Sequence, residues 1–356
     1  MRKVIALTGG GTAGHVVPNI ALVDALRQAG FDVHYIGAAN SIESELSRDA
    51  GLTFHAISTG KLRRSLSPAD TLKNLRDQFA FAKGIYDARR VMAALRPSLI
   101  FSKGGYVGVP VVLAARCLGI KSLIHESDIT PGLANRLSFP FAARICVSFP
   151  ETLARVPSGK GVLTGTPLRR EIFGGDRQKG LRLAGFSDTL PVLMVVGGSS
   201  GSRVINETVR FALPELLADF QVLHMVGKGN LEKTAAPGYA QFEYLKSDLP
   251  HVLAASDIVI SRAGANAIQE FLALRKPALL IPLSKTSRGD QVQNAESFLR
   301  HGYANVLREE DLTPSQLAAQ ARDLYSTRQV YIEKMSRAKQ SNGRDETIKL
   351  ILSSVQ

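Results

Sequence analysis

Cysteine is scarce in this sequence, with only Cys117 and Cys146 among 356 residues. Neither has a neighbour at metal-ligand or redox-motif spacing, so both are expected as buried thiols in a reducing compartment. Long apolar runs are also missing. After Met1-Arg2-Lys3 the run Val4-Ile5-Ala6-Leu7 stops at Thr8-Gly9-Gly10-Gly11, which reads as a buried first strand and not as a signal peptide. Nothing approaches the roughly 20 apolar residues that cross a bilayer, and a soluble or peripheral protein is expected. Extended polar tracts are lacking too: hydrophobic residues make up 45% and charged residues 21%, a globular balance. Zinc-type spacing, a Walker-type lysine, a nucleophile elbow and heptads are all absent, and no Asp-x-Asp pair follows a strand. No tightly bound metal and no cofactor is therefore expected. Acidic residues are outnumbered 31 to 44 by lysine and arginine, a net charge of +13 that points to an anionic partner: nucleic acid, lipid or phosphorylated substrate. No nucleic-acid recognition motif accompanies the charge, and no nucleic-acid partner is expected.

What is present is a strand and glycine-turn pattern, given twice. Lys3–Leu7 reads as a strand, Gly9–Gly14 as a turn, Val17–Ala29 as an amphipathic helix and Asp32–Ile36 as a second strand, the building unit of a parallel doubly wound sheet. Leu99–Ser102, Ser122–His125 and Ala143–Val147 supply further strands. The pattern pauses near Val162–Pro167. It then restarts with Pro191–Val196 and Gly197-Gly198-Ser199-Ser200-Gly201-Ser202, followed by strands at Gln221–Val226, Phe242–Tyr244, Ile258–Ser261, Ala278–Ile281 and Ala304–Val306. A chain of this length exceeds one ordinary core. The reading is two α/β domains, 1–163 and 164–337, with a helix over 338–356 packing back on the first. In such sheets ligands sit beyond the carboxyl ends of the strands, where the glycine turns lie.

The residues at those ends carry the chemistry. Gly9-Gly10-Gly11-Thr12-Ala13-Gly14-His15 lets a phosphate or sugar approach the backbone, and the helix start favours negative charge. It equally reads as a tight turn alone. An imidazole at a helix N-terminus has its cationic form disfavoured, which suits His15 to accept a proton; a histidine merely capping the helix is the alternative. Ser102-Lys103-Gly104-Gly105-Tyr106 and His125-Glu126-Ser127-Asp128 follow two more strands and together suit a polyhydroxylated acceptor, although Asp128 could be a helix N-cap and Glu126 or His125 structural hydrogen-bonders. In the second half, Ser199 could donate to a phosphate. Arg262, Ala263, Gly264, Ala265 and Asn266 form a small-residue turn leading to Glu270, whose carboxylate could accept ribose hydroxyls or simply complement the helix dipole. The amides of Gln291 to Asn294 suit a sugar or plain surface polarity. Arg169 with the two turns could stabilise a leaving diphosphate.

In order and spacing, Gly9–Pro18, Gly104–Tyr106, His125–Asn135, Gly165–Arg169, Gly197–Asn206, Arg262–Glu270 and Gln291–Glu296 resemble the MurG family over nearly the whole chain. The resemblance implies the GT-B fold, two doubly wound parallel-sheet (Rossmann-like) domains facing across a cleft. It implies an inverting N-acetylglucosaminyltransferase that uses UDP-N-acetylglucosamine and a polyprenyl-diphosphate-linked muramyl-pentapeptide, as a peripheral protein on the cytoplasmic face of the membrane. Donor contacts implied are Ser199, Leu245, Arg262 to Asn266, Glu270, Gln291 and Arg169, with Thr12, Ala13 and Gly14 on the diphosphate side. His15 is the implied base, with Glu126 as the next candidate, and Tyr106, His125 and Asp128 lie on the acceptor side. Ala13 replaces a usual glycine, and Ser127-Asp128 a usual Gln-Asn pair, which leaves room for a different acceptor; a non-catalytic nucleotide-sugar-binding paralogue is a separate alternative, against which His15 and Glu270 together argue. Over 61–90, Lys61, Arg63, Arg64, Lys73, Arg76, Lys83, Arg89 and Arg90 accompany Leu72, Leu75, Phe79, Ile85 and Tyr86. They read as a surface for anionic lipid or as an amphipathic helix packed on its own sheet.

Overall fold

The computed structural model describes residues 3–60, 68–198, 200–233, 236–284, 289–338 and 343–355, without the side chains of 68–76. Ser199, Arg288, Lys61, Arg63 and Arg64 lie outside the described residues. Contacts divide the chain into one unit of Met1–Arg169 with Asn342–Gln356 and another of Arg170–Ser341.

In the first unit the elements run β1 (Val4–Thr8), α1 (Ala13–Gln28), β2 (Asp32–Ala38), α2 (Ile42–Asp49), β3 (Thr53–Ile57), α3 (Pro68–Leu95), β4 (Leu99–Ser102), α4 (Gly108–Cys117), β5 (Ser122–Glu126), α5 (Leu133–Ser138), β6 (Arg144–Val147) and β7 (Gly161–Leu163). The second holds α6 (Arg177–Ala184), β8 (Val192–Val196), α7 (Arg203–Leu216), β9 (Gln221–Met225), β10 (Tyr239–Phe242), α8 (Leu249–Ala255), β11 (Ile258–Ser261), α9 (Ala265–Leu274), β12 (Ala278–Leu280), α10 (Asp290–His301), β13 (Ala304–Val306), α11 (Pro314–Ser326) and α12 (Arg328–Ser336). A last helix, α13 (Gly343–Val355), returns to the first unit.

The strand orders are β3-β2-β1-β4-β5-β6-β7 and β10-β9-β8-β11-β12-β13, with parallel pairing in both sheets. Each sheet winds to one side, then returns next to its first strand and winds the other way. The reversal lies between β1 and β4 in one unit and between β8 and β11 in the other, and in such sheets ligands sit beyond the carboxyl ends at that point. Strand period explains the layers. Ile5, Leu7, Leu99 and Phe101 face α1 and α13 through Leu22, Leu26 and Ile351, while Ala6 and Ile100 on the opposite face meet Ala88, Met92, Val111 and Ala114 of α3 and α4. In the second sheet Leu193, Val195, Ile258 and Ile260 pack on Ile205, Val209, Leu317 and Ala321.

Several expectations are corrected. α1 begins at Ala13, not Val17, and carries Pro18 inside it. Pro18 costs α1 the bond to the Gly14 carbonyl and crowds that oxygen, while the residues before it keep their own N–H groups. β3 and β7 were missed because their side chains are mostly half-buried and show weak alternation. The strand expected at Phe242–Tyr244 lies at Tyr239–Phe242. Cys146 is buried, but Cys117 ends α4 on its exposed side.

Gly30 and Gly105 separate two costs of substitution. At Gly30 (φ +88°) an added Cβ meets nothing within 4 Å, whereas at Gly105 (φ +78°) it would stand 2.3 Å from the Gly10 carbonyl oxygen. Gly30→Ala is expected to cost about 1 to 2 kcal/mol from the left-handed conformation alone. Gly105→Ala is expected to cost several kcal/mol, since backbone must also shift. Thermal unfolding of the two variants, followed by circular dichroism, checks the order.

Candidate active site

Register sets the first group. Thr8 pairs with Ser102 and Ser102 with Ile124, so Gly9, Lys103 and His125 emerge at one level and Gly10, Gly104 and Glu126 at the next. Lys103 N–H donates to Thr8 O at 2.9 Å, and Gly10 N–H donates to Gly104 O at 3.3 Å. The two glycine turns thus meet backbone to backbone. Tyr35, fully buried, donates to Gly9 O at 2.6 Å, and Asn19 donates to Thr8 O at 2.9 Å. The sequence reading did not find Asn19, although an amide on the apolar face of α1 was a signal for it.

Of the two readings of the first turn, the structure is nearer the tight turn than an open phosphate site. Gly11 N–H donates to Glu43 Oε2 at 3.2 Å, and Ala38 N–H to Glu43 Oε1 at 3.4 Å. Glu43 is fully buried. The Gly10 and Gly11 amides of the turn are therefore committed, and a carboxylate stands behind them. In sequence Glu43 reads as an ordinary acid in the first turn of α2, which is why it was missed.

Thr12 occupies the N-cap position of α1, yet its side chain makes no capping bond. Its hydroxyl instead lies 3.1 Å from His15 Nδ1. Ala13 and Gly14 are half-buried at the helix start. Tyr106 lies over the same turn, its ring 2.8 Å from where a Cβ on Gly11 would stand. Burial, and then the nearby Glu43 charge, hold its phenol above the ordinary range.

Beyond β5 the expected acceptor residues divide. His125 is wholly buried, and its Nε2 lies 2.8 Å from Gly165 O. Burial, followed by the Lys103 charge, pushes its pKa well below the ordinary value, so a neutral ring donates Nε2–H to that carbonyl. His125 is thus a framework residue and presents no surface to an acceptor. Glu126 is 4% exposed and accepts from Asn135 Nδ2 at 2.9 Å, Gly132 N at 3.0 Å and Asp128 N at 3.0 Å. Burial, and next Asp128, raise its pKa against those donors. A carboxylate so engaged anchors the turn of residues 126 to 132 and does not reach an acceptor hydroxyl as a base. Asp128 is half-buried at the edge of that turn.

In the second unit, Val196 pairs with Ser261 and Ser261 with Leu280. A cavity of about 360 Å³ opens at their ends, lined by Gly197, Gly198, Gly201, Ser202, Arg262, Gly264 and Gln291. Ser202 and Gly264 are the N-cap residues of α7 and α9, so two helix N-termini border the cavity. Their dipoles favour an anion there, with the Ile205 N–H of α7 already capped by Ser202 Oγ. Gln291 is held with its Oε1 accepting from Leu283 N at 3.1 Å. Arg262 lines the cavity, but its guanidinium is occupied by an ion pair with Glu309 and by bonds to Ser202 Oγ at 2.8 Å and Ile281 O at 3.1 Å. It buttresses the wall and the α7 cap. Ala263 and Ala265 are buried, while Asn266 and Glu270 are half-buried on α9. Leu245 is buried beyond β10, and Arg169 is the last residue of the first unit before the chain enters the second. Among the described residues no group of three or more His, Cys, Asp or Glu side chains is arranged to hold a metal ion.

Known proteins match this arrangement. Residues 5–147 match the glycosyltransferase family 28 N-terminal domain, and residues 192–351 the C-terminal domain of the same family. A Clostridium tetani protein named UDP-N-acetylglucosamine--N-acetylmuramyl-(pentapeptide) pyrophosphoryl-undecaprenol N-acetylglucosamine transferase is 50% identical over 354 residues, covering 99% of this chain and 98% of the relative. One of the same name from Lachnoclostridium phytofermentans is 51% identical over 352 residues, 98% of each chain. The crystal structure of Acinetobacter baumannii MurG superposes with a TM-score of 0.78 at 25% identity, covering 99% of both chains. Two doubly wound sheets with glycine turns at their reversal points, matched along both domains by such relatives, show that this chain belongs to the MurG family of glycosyltransferase family 28.

Proposed function

We propose that the chain transfers N-acetylglucosamine from UDP-N-acetylglucosamine to the C4 hydroxyl of the muramyl sugar in lipid-linked muramyl-pentapeptide, as the names of its relatives indicate for them. The observation that carries the donor half is the pair of helix N-termini, of α7 and α9, at one cavity of the second unit. A diphosphate places its negative charge there with no counterion required from a side chain. Glu270 accepts the ribose hydroxyls and Leu245 packs on the uracil. The Gln291 amide, already oriented by Leu283, donates to the sugar.

The acceptor is assigned to the first unit, with His15 as general base, Tyr106 and Asp128 beside the sugar, and Thr12, Ala13 and Gly14 along its path. The 3.1 Å contact of Thr12 with Nδ1 supports this role. When Nδ1–H donates to the hydroxyl oxygen, the lone pair of His15 is left on Nε2. Nε2 takes the acceptor proton as the C4 oxygen attacks the anomeric carbon and UDP leaves, a single displacement with inversion. Glu126 holds the turn that carries Asp128.

The acceptor's lipid would be met at the bilayer by α3. Phe79 is 75% and Tyr86 66% exposed, and Lys83, Arg89 and Arg90 are exposed near them, while Ala88 and Met92 pack inward. No helix among the described residues is long and apolar enough to cross a membrane. A peripheral contact of apolar and basic side chains with anionic lipid on the cytoplasmic face fits this surface.

Incubation with labelled UDP-N-acetylglucosamine and a short-chain muramyl-pentapeptide diphospholipid should yield disaccharide lipid and UDP; UDP released without transfer would exclude this acceptor. His15→Ala should lower kcat at least about a hundredfold while leaving UDP affinity unchanged, as titration calorimetry would show. Glu270→Ala should weaken UDP about tenfold or more through loss of charge-assisted hydrogen bonds. Flotation with vesicles should show binding to anionic but not neutral lipid, reduced by Phe79→Ser and by high salt; equal binding to both would sink the membrane assignment.

A further inference from the structure

Lys103 follows β4 with only 1% of its surface exposed, and nothing in the donor or base chemistry uses it. Its ammonium contacts Ser127 Oγ on the turn beyond β5. Glu126 and Asp128, the residues on either side of Ser127, act on it electrostatically, as does the buried Cys146 thiol of β6. His125 feels the same ammonium in the opposite sense. A buried lysine is expensive unless its charge is met, and here both carboxylates lie on one short turn. Burial lowers its pKa and the two carboxylates raise it, with the balance at about 8, above neutral.

The turn needs that charge. Glu126 holds residues 126 to 132 only as an acceptor for Asn135, Gly132 and Asp128. Those three bonds favour the ionised carboxylate, whereas burial and the neighbouring Asp128 both favour protonation. An opposite charge is what tips a buried acid back toward its ionised form. Lys103, whose own pKa Glu126 and Asp128 raise, is a cation available for that, and through Ser127 it is tied to the middle of the turn.

We infer that Lys103 is a positioning residue for the acceptor side of the site: with Ser127 it holds the turn of residues 126 to 132, and its charge compensates Glu126 and Asp128 so that Asp128 is presented in a fixed place. The inference rests on the assignment of this turn to the acceptor. The cation acts through the turn and touches neither substrate.

The test uses the full chain with UDP-N-acetylglucosamine and a short-chain muramyl-pentapeptide diphospholipid. Lys103→Met keeps the length of the side chain and removes the charge. It should raise KM for the acceptor about tenfold, leave UDP affinity unchanged, and move the acidic limb of kcat/KM to higher pH. The sign follows because a carboxylate that has lost its cation protonates at higher pH, so the turn slackens earlier as pH falls. Asp128→Asn combined with Lys103→Met removes one charge of each sign. The double variant should recover more activity than the product of the single effects allows. Ser127→Ala, a half-exposed position, should raise acceptor KM in the same direction by a smaller factor, and it decides the matter if Lys103→Met does not fold. An unmoved acidic limb with an unchanged KM in Lys103→Met overturns the inference, as do strictly multiplicative effects in the double variant or an unchanged KM in Ser127→Ala. If the unsubstituted chain fails to transfer to this acceptor, the functional assignment falls and this inference with it; transfer by the unsubstituted chain together with indifferent Lys103 variants overturns this inference alone.

Discussion

The hydrogen bond from Gly10 N–H to Gly104 O joins the turns that follow β1 and β4, the two strands between which the first sheet reverses direction. It requires the backbones to touch, and neither turn has a Cβ at the point of contact. Parallel pairing brings Thr8 and Ser102 level, and the two chains can then leave the sheet together only if the residues beyond them are small. The start of α1 and the ring of Tyr106 take their places from this contact. So does Lys103, one residue before Gly104, whose position under the turn after β5 follows from the same register.

The two units use one architecture for opposite electrostatic ends. Beyond β8 the wall is backbone amide, two helix starts and an arginine already neutralised by Glu309, a setting that accepts negative charge. Beyond β1 the amides of Gly10 and Gly11 are spent internally, and the buried carboxylate of Glu43 stands behind them. A second multiply charged anion would gain less there than in the second unit. The difference suits the proposed division, in which one unit holds the nucleotide and the other offers a hydroxyl with a base beside it. Glycine turns alike in sequence therefore differ in electrostatic setting because of what packs behind them.

Much of this was legible in the chain. The strands at β1, β4, β5, β8 and β11 show as apolar runs ended by glycine or polar residues, and these are the strands that carry the candidate site. Edge strands were less visible: β3 and β7 have half-exposed residues without the uninterrupted apolar run of a buried parallel strand. Side-chain roles were hardest to read. His125, Glu126 and Arg262 have the types that chemistry uses, but long-range partners decide what they do: Gly165 lies 40 residues from His125, and Glu309 lies far along the chain from Arg262. Glu43 and Asn19 gave the converse error. Each has an ordinary local reading, while its bonds to the glycine turn or to the end of β1 form only in the folded sheet.

α13 belongs to the first unit although the whole of the second is synthesised before it. Ile351 sits in the core with Ile5, Leu22 and Leu99, so that core is incomplete while the ribosome is still making the last helix. The second unit, continuous from Arg170 to Ser341, needs no later residue to close its own core. The order of supply is therefore inverted, since the later-made unit has all of its core residues in hand before the earlier-made one receives Ile351.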